Sequence, residues 1–418
     1  MNDLTVWLYG APLAHLDEPR RGRLRLTFTS EAIDTYGPGS AVLSLGLPVQ
    51  STPAVDSGTY APVRAFFQGL LPEGAMLERI ALSLRVPTSD TLGLLRAIGM
   101  ECAGAIQCLP PVGAPGPGTV RRLDGPAVTT LIESLPALIG SPEYPPQASL
   151  GGLQDKLLLT RLGDGGWGWP QGGAASTHIL KPDPLPGVGI PYLVSAESWA
   201  LEVARTAGLP AASASLDVIA GRDVLVVERY DRTADGQRSH QEDFCQALGL
   251  MPIAKYETPY EHPTRLRRIA ALLSEHSPDP VRVRRDLLRQ VTYNVAIGNA
   301  DAHTKNYSAL LSRTGVPSVA PLYDCAPLHL MDARFRQIGH IVHHQQFLDQ
   351  VTATDLVAEG FYWGMDPSDT SATVADVLRR TLAAAQSTPD PPAWPGLAGR
   401  VAERIDRLAA HGTSWEPA

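Results

Sequence analysis

Tyr293-Asn294-Val295-Ala296-Ile297-Gly298-Asn299-Ala300-Asp301-Ala302-His303-Thr304-Lys305-Asn306-Tyr307 sets an acid and an amide in a polar segment between two apolar runs. A helical apolar run through Val291, Val295 and Ile297 feeds a short polar loop, and an apolar strand from Tyr307 to Leu311 leaves it. The loop sets Asp301 five positions ahead of Asn306. Phosphoryl transfer needs an acid that orients the nucleophilic hydroxyl and takes its proton, and an amide oxygen that holds magnesium. The D-x-x-x-x-N spacing recurs in the protein-kinase catalytic loop. Asp and Asn are also ordinary turn formers, so the rest of the chain has to supply the other parts.

Downstream, Tyr307–Leu311, a turn at Arg313-Thr314-Gly315 and Val316–Leu322 read as a hairpin that delivers Tyr323-Asp324. Asp324 beside Asn306 is a second candidate magnesium ligand, because magnesium takes few protein ligands plus phosphate oxygens. His340, His343 and His344 lack the Cys or carboxylate pattern of a zinc site.

Upstream, Ser149-Leu150-Gly151-Gly152-Leu153-Gln154-Asp155-Lys156 precedes an apolar strand, Leu157–Thr160. Paired glycines let backbone N–H groups approach an anion, or simply make a tight turn. Gly163 to Gly173 reads as a hairpin tip, and Thr177–Pro182 as the returning strand. Lys181 ends its apolar run in the manner of a phosphate-gripping kinase lysine, although strand-end lysines are mostly solvated. Ser195 reads as an N-cap and Gly208 as the C′ residue of a helix. Glu197 has two readings: a first-turn acid suited to the helix dipole, or a partner for the strand lysine. Val224–Arg232 is a buried strand passing into a charged segment, as an interlobe hinge would, and Gln241–Gln246 starts a mostly helical second half. Arg265, Arg267, Arg268, Arg282, Arg284, Arg285 and Arg289 crowd two helical patterns; they read as solvated basic faces or as a docking patch.

The first hundred residues form a separate unit. Val6–Gly10, Leu24–Phe28 and Leu43–Leu47 read as strands, the last two by period-two alternation. Phe66–Gly74 opens a helix-rich part that ends near Cys102–Ala105. Residues 110 to 118 are a Pro/Gly linker, Ser141–Pro146 is a second soft segment, and the last seventy residues are Ala/Leu/Arg-rich helices broken at Pro389–Pro395.

Composition bounds the function. The chain has 418 residues, 44% of them hydrophobic, which is ordinary for a globular protein of two or three domains. No apolar run spans a bilayer, and the N-terminus lacks the form of a signal peptide, so a cytoplasmic protein without a membrane partner is expected. The four cysteines show no C-x-x-C pairing. A net charge of −8 leaves no global attraction for nucleic acid.

Six blocks, in order, resemble the HipA family of bacterial serine/threonine kinase toxins: Ser149–Lys156, His178–Pro182, Glu197–Leu209, Glu228–Arg232 with Gln241–Gln246, Asp301–Asn306 and Tyr323-Asp324. Phe66–Gly74 and Cys102–Ala105 resemble the N-terminal module of that family. The resemblance implies an α+β, two-lobed protein-kinase-like fold. Residues 1–109 would be the added module, 110–235 the β-rich N-lobe core and 236–418 the helical C-lobe. It implies ATP and Mg2+ as cofactors. Asp301 would be the catalytic base, and His303 would line the nucleotide site. Asn306 and Asp324 would bind the metal, and Lys181 the phosphates. Gly151 and Gly152 would shape the phosphate loop, Glu228 to Tyr230 the adenine hinge, and Ser149 would be the site of self-phosphorylation. The partners implied are a helix-turn-helix antitoxin, operator DNA through that complex, and a protein substrate, with aminoacyl-tRNA synthetases as the family's known targets. Ala302, where many relatives carry Gly, and Pro182 directly after Lys181 are the departures; a proline there holds Lys181 in extended geometry, as a strand requires. Two other functions stand beside the kinase toxin. A nucleotide-binding corepressor would not need Asp301, Asn306 and Asp324 intact, and a small-molecule kinase would not need the N-terminal module.

Overall fold

The computed structural model describes residues 3–58, 60–135, 154–185, 187, 189–233 and 236–410. Ser149, Gly151 and Gly152 lie outside the described residues. The chain forms two compact units: Met1–Pro182 with Asp217–Pro252 and Leu310–Val316, and Asp183–Leu216 with Ile253–Ala309 and Pro317–Ala418.

The first unit contains two sheets. One is antiparallel, with strands β1 (Leu4–Leu8), β2 (Ala11–Arg20), β3 (Arg23–Phe28), β4 (Ala54–Val55) and β5 (Ile106–Leu109) in the order β4-β3-β2-β1-β5. Alternation sends Leu24, Leu26 and Phe28 inward while Arg23, Arg25 and Thr27 face outward, so one face buries against helices Pro62–Gly69 and Thr91–Ile98. Phe66 and Phe67 meet edge to face at 5.1 Å in that core, and each fully buried ring contributes about 1.5–3 kcal/mol.

The second sheet comprises β6 (Thr119–Leu123), β7 (Leu157–Arg161), β8 (Trp167–Gln171), β9 (His178–Pro182), β10 (Ala214–Ile219) and β11 (Arg222–Glu228), in the order β10-β11-β9-β7-β8-β6. Leu157, Leu159, Leu180 and Val224 pack with Val128, Leu131 and Ile132 of helix Gly125–Ser134.

Several sequence expectations are corrected. Leu43–Leu47 is buried but irregular, not a strand. Its backbone serves side chains instead: the Leu45 N–H donates to Glu242 Oε1 at 2.6 Å, and the Leu43 carbonyl meets His240 Nε2 at 2.7 Å. The hairpin tip is shorter than Gly163–Gly173, because Trp167–Gln171 is itself strand, paired through Trp167 with Leu123. Gln241–Asp243 belongs to a strand, His240–Asp243, and the short helix begins only at Phe244, with Asp243 and Gln246 forming a reciprocal capping box.

The second unit is mainly helical. Its longest helices are Pro280–Ile297 and Pro367–Ser387, joined in one core with Arg265–His276, Ala353–Tyr362 and Leu397–Ala410. The helix read from Ser195 starts earlier, at Leu193. Asp183 caps it, accepting the N–H groups of Tyr192 at 2.7 Å and Val194 at 3.2 Å, while the Ser195 hydroxyl turns back to the Tyr192 carbonyl. Glu197 is therefore past the first turn, and it is buried, so the dipole reading does not hold. Gly208 stands after the helix end at φ +76°, as expected of a C′ glycine. Among the described residues, no helix is long and apolar enough to cross a membrane.

Candidate active site

Helix Pro280–Ile297 aims the loop. Asp279 caps its start by accepting the Arg282 N–H at 3.0 Å, and Pro280 sits where a missing N–H costs nothing. Gly298, at φ +78°, ends it in the left-handed conformation that other residues enter only with strain. The chain then turns into Asn299, which is held to the helix by its N–H on the Asn294 carbonyl and its Nδ2 on Asn294 Oδ1, both at 2.9 Å.

Asp301 is clamped through its main chain. Its N–H donates to Asn299 Oδ1 at 3.2 Å, and its carbonyl accepts the His303 N–H at 2.7 Å and Asn306 Nδ2 at 2.8 Å. The carboxylate is 44% exposed. Rigid backbone with an accessible acid is the arrangement that general-base chemistry requires. Because the Asn306 nitrogen is committed to Asp301, its Oδ1 is the atom left for a cation.

The loop also has a floor. Thr304 donates its N–H to the Lys255 carbonyl at 3.1 Å and accepts from Arg265 Nη1 at 3.0 Å. Gly339 passes so close to Ala302 and His303 that a Cβ there would meet their backbone at 2.5 Å, so only glycine fits. His303 is buried, its Nε2 3.9 Å from Asp301 Oδ1. Burial, and then the nearby Lys255 charge, push its imidazole down to about 3, so the ring is neutral at pH 7. The Tyr323 hydroxyl reaches the Lys305 carbonyl at 2.7 Å and the Ser308 hydroxyl at 2.5 Å, tying the Tyr323-Asp324 turn to this loop. Asp324 has φ +46°, a backbone setting that an L residue enters at a cost of about 1–3 kcal/mol and that clusters at functional sites.

Asn306 and Asp324 are hard oxygen donors, one neutral and one anionic. They suit magnesium, which keeps waters and phosphate oxygens in its shell. Among the described residues, no group of three or more His, Cys, Asp or Glu gathers for a metal. The histidines serve other partners: His340 packs edge-on against Tyr307, and His343 Nδ1 lies 3.1 Å from Asp355.

Lys181, Glu228 and Tyr230 lie in the first unit. Lys181 pairs with Leu225 and His178 with Glu228, which places the lysine and the glutamate at opposite ends of the β9–β11 ladder. Lys181 is buried. Tyr230 donates its hydroxyl to Gln241. Between Glu228 and Arg232 runs a buried charge cluster that the sequence did not disclose. Arg229 reaches Glu101 at 3.0 Å and Asp231 at 2.8 Å. Arg232 reaches Glu101 at 3.1 Å and Asp231 at 3.0 Å, and Arg238 also pairs with Glu101. Burial alone would raise the Glu101 carboxyl, but Arg232, Arg229 and Arg238 hold it down at about 2. The other residue missed is Tyr256, whose hydroxyl bonds Asp301 Oδ1. No local pattern marks either, since the partners are 128 and 45 positions apart.

A β-rich unit carrying a strand lysine and a helical unit carrying a clamped D-x-x-x-x-N loop define an α+β, kinase-like protein. Comparison with known proteins makes the class specific. Residues 148–386 match the HipA-like C-terminal domain, and residues 4–109 the HipA N-terminal domain. Y4mE of Sinorhizobium fredii, named for a kinase, is 35% identical over 334 residues, covering 77% of this chain and 76% of that protein. The serine/threonine-protein kinase toxin HipA of Shewanella oneidensis is 30% identical over 332 residues, covering 75% and 74%. The solved complex of Shewanella oneidensis HipA with HipB and its operator DNA contains a chain that superposes with a TM-score of 0.77 at 26% identity, over 97% of this chain and 96% of that one. The chain belongs to the HipA family of serine/threonine kinase toxins, and it is a protein kinase.

Proposed function

We propose that this kinase transfers the γ-phosphoryl group of ATP to a serine or threonine of a protein, with Asp301 as general base, and that it is the toxin of a toxin–antitoxin pair. The observation that carries the reading is the half-exposed Asp301 carboxylate on a main chain clamped by Asn299 and Asn306. The acceptor hydroxyl gives its proton to Asp301, its oxygen bonds the γ-phosphorus, and the bond to the bridging oxygen of the departing ADP breaks. Asn306 and Asp324 would hold magnesium, which supplies charge neutralisation on the phosphates when bound. Lys181 would contact the phosphates, with Gly151 and Gly152 shaping the loop over them. Glu228 to Tyr230 would meet the adenine, and the neutral His303 ring would line the same site. Buried Glu197 is a candidate counter-charge for the lysine.

The division into 1–109, 110–235 and 236–418 goes with this reading, with the module ending where β5 ends, at Leu109. A helix-turn-helix antitoxin, and operator DNA through it, is the proposed partner. An aminoacyl-tRNA synthetase is the proposed substrate, so translation would be arrested in the cytoplasm, and self-phosphorylation of Ser149 would be the off-switch. Asp301→Asn tests the core of the proposal. It is expected to keep the melting temperature and ATP binding but lose phosphoryl transfer by roughly a hundredfold or more. Transfer at the wild-type rate would overturn the assignment.

A further inference from the structure

Tyr256, 45 positions before Asp301, reaches its carboxylate: the Tyr256 hydroxyl donates to Oδ1. Its position is built. The residue before it accepts the Thr304 N–H at 3.1 Å, and the residue after it donates its N–H to the Gly339 carbonyl at 3.2 Å. Glu257 is held in turn, its carboxylate accepting the N–H groups of Arg265 at 2.8 Å and Ile341 at 2.9 Å. The Tyr256 ring stands edge-on to His303, with centroids 5.0 Å apart at 85°. Backbone and ring contacts thus aim one O–H at the acid.

The main chain and the carboxylate of Asp301 are held by different groups. Asn299 and Asn306 are buried and hold its main chain. Tyr256 is 44% exposed and holds the carboxylate itself, which is equally exposed. The phenol therefore lies on the open side, where an acceptor hydroxyl has to arrive. An O–H donating to a carboxylate oxygen is also the ground-state geometry of general-base catalysis.

We propose that Tyr256 is a built-in acceptor mimic: its phenol takes the place on Asp301 that the substrate serine or threonine hydroxyl needs, so that acceptor and tyrosine compete for the base. The proposal rests on Asp301 being that base. It makes the resting enzyme slow toward water and chance hydroxyls, and favours a substrate that docks tightly enough to displace the ring.

The test is Tyr256→Phe in the full chain, which keeps the ring against His303 and removes only the O–H. A partly exposed hydrogen bond to a charged group corresponds to roughly threefold to tenfold in an equilibrium. Two rates should rise by that factor in Tyr256→Phe: magnesium-dependent ATP hydrolysis, where water is the acceptor, and kcat/KM for dephosphorylated casein as a generic acceptor. KM for ATP should stay unchanged. Tyr256→Ala should raise ATP hydrolysis at least as much. Rates equal to or below wild type in Tyr256→Phe, with an unchanged melting temperature, would overturn the proposal and make the phenol a positioning group. Asp301→Asn, run in parallel, separates the two ideas. If it is inactive while Tyr256→Phe is no faster than wild type, only the mimic falls. If it is fully active, the base assignment falls and takes the mimic with it.

Discussion

Replacing Glu101 by glutamine removes one of two carboxylates from a cluster in which three arginines converge inside the first unit. Glutamine keeps the shape and an acceptor oxygen for Ser176, whose hydroxyl and N–H both meet Glu101 Oε1, so the change isolates charge. The arginines hold the carboxyl at about 2 against an ordinary 4.5, and that gap corresponds to about 3 kcal/mol. Removing one partner of a buried ion pair costs about 3–5 kcal/mol, because the remaining charge stays desolvated. Arg232 sharpens the cost: burial, and then its neighbour Arg229, already pull it down to about 10, so it has little charge stabilisation to spare. A loss of this size lowers the melting temperature on the order of 10 °C for a unit of this length. The assay is calorimetry or near-UV circular dichroism of wild type and Glu101→Gln at one scan rate and pH 7, with Arg122→Gln, which loses an exposed pair with Asp164, as the control expected to show no shift. The pH dependence carries a sign. The folded carboxyl is lowered, so its contribution is complete above about 4.5 and fades as pH falls toward about 2. The gap between wild type and variant should therefore be constant from pH 7 to 5 and close only below that window. A shift under about 2 °C at pH 7, or a gap that widens in acid, would refute the reasoning.

Lys181→Ala is expected to weaken ATP binding or turnover through the lost ammonium charge while leaving the fold intact; a sharp fall in melting temperature with normal nucleotide binding by the folded fraction would make the lysine structural. Incubation of the wild type with ATP and magnesium should add phosphate to Ser149 and silence the enzyme, because a group carrying nearly two negative charges would compete with the nucleotide phosphates. Mass spectrometry that finds active protein unmodified after turnover, or a fully active Ser149→Asp, would remove that switch.

Much of this protein was legible because the signals were local. Alternation placed Leu24, Leu26 and Phe28 on one face of a strand, and the apolar run through Val291, Val295 and Ile297 marked a helix that feeds a polar loop. The five-residue step from Asp301 to Asn306 is itself a short-range geometry, closed by the Asn306 amide on the Asp301 carbonyl, so the loop could be read before it was seen. Tertiary structure decided whatever depended on distant partners. Leu43–Leu47 has a strand's composition, yet Glu242 and His240, 197 positions on, take its backbone groups. Ser195 has a cap's chemistry, yet Asp183 arrives first. Arg229, Asp231 and Arg232 read as the charged end of a hinge strand, and Glu101 makes them a buried network. Tyr256 had no motif at all, and only folding brings its hydroxyl to Asp301. The physical reason is the same in each case: periodicity and spacing report which backbone shape a segment prefers, whereas a polar group's partner, once water is excluded, is whichever complementary group the packed chain sets within about 3 Å of it.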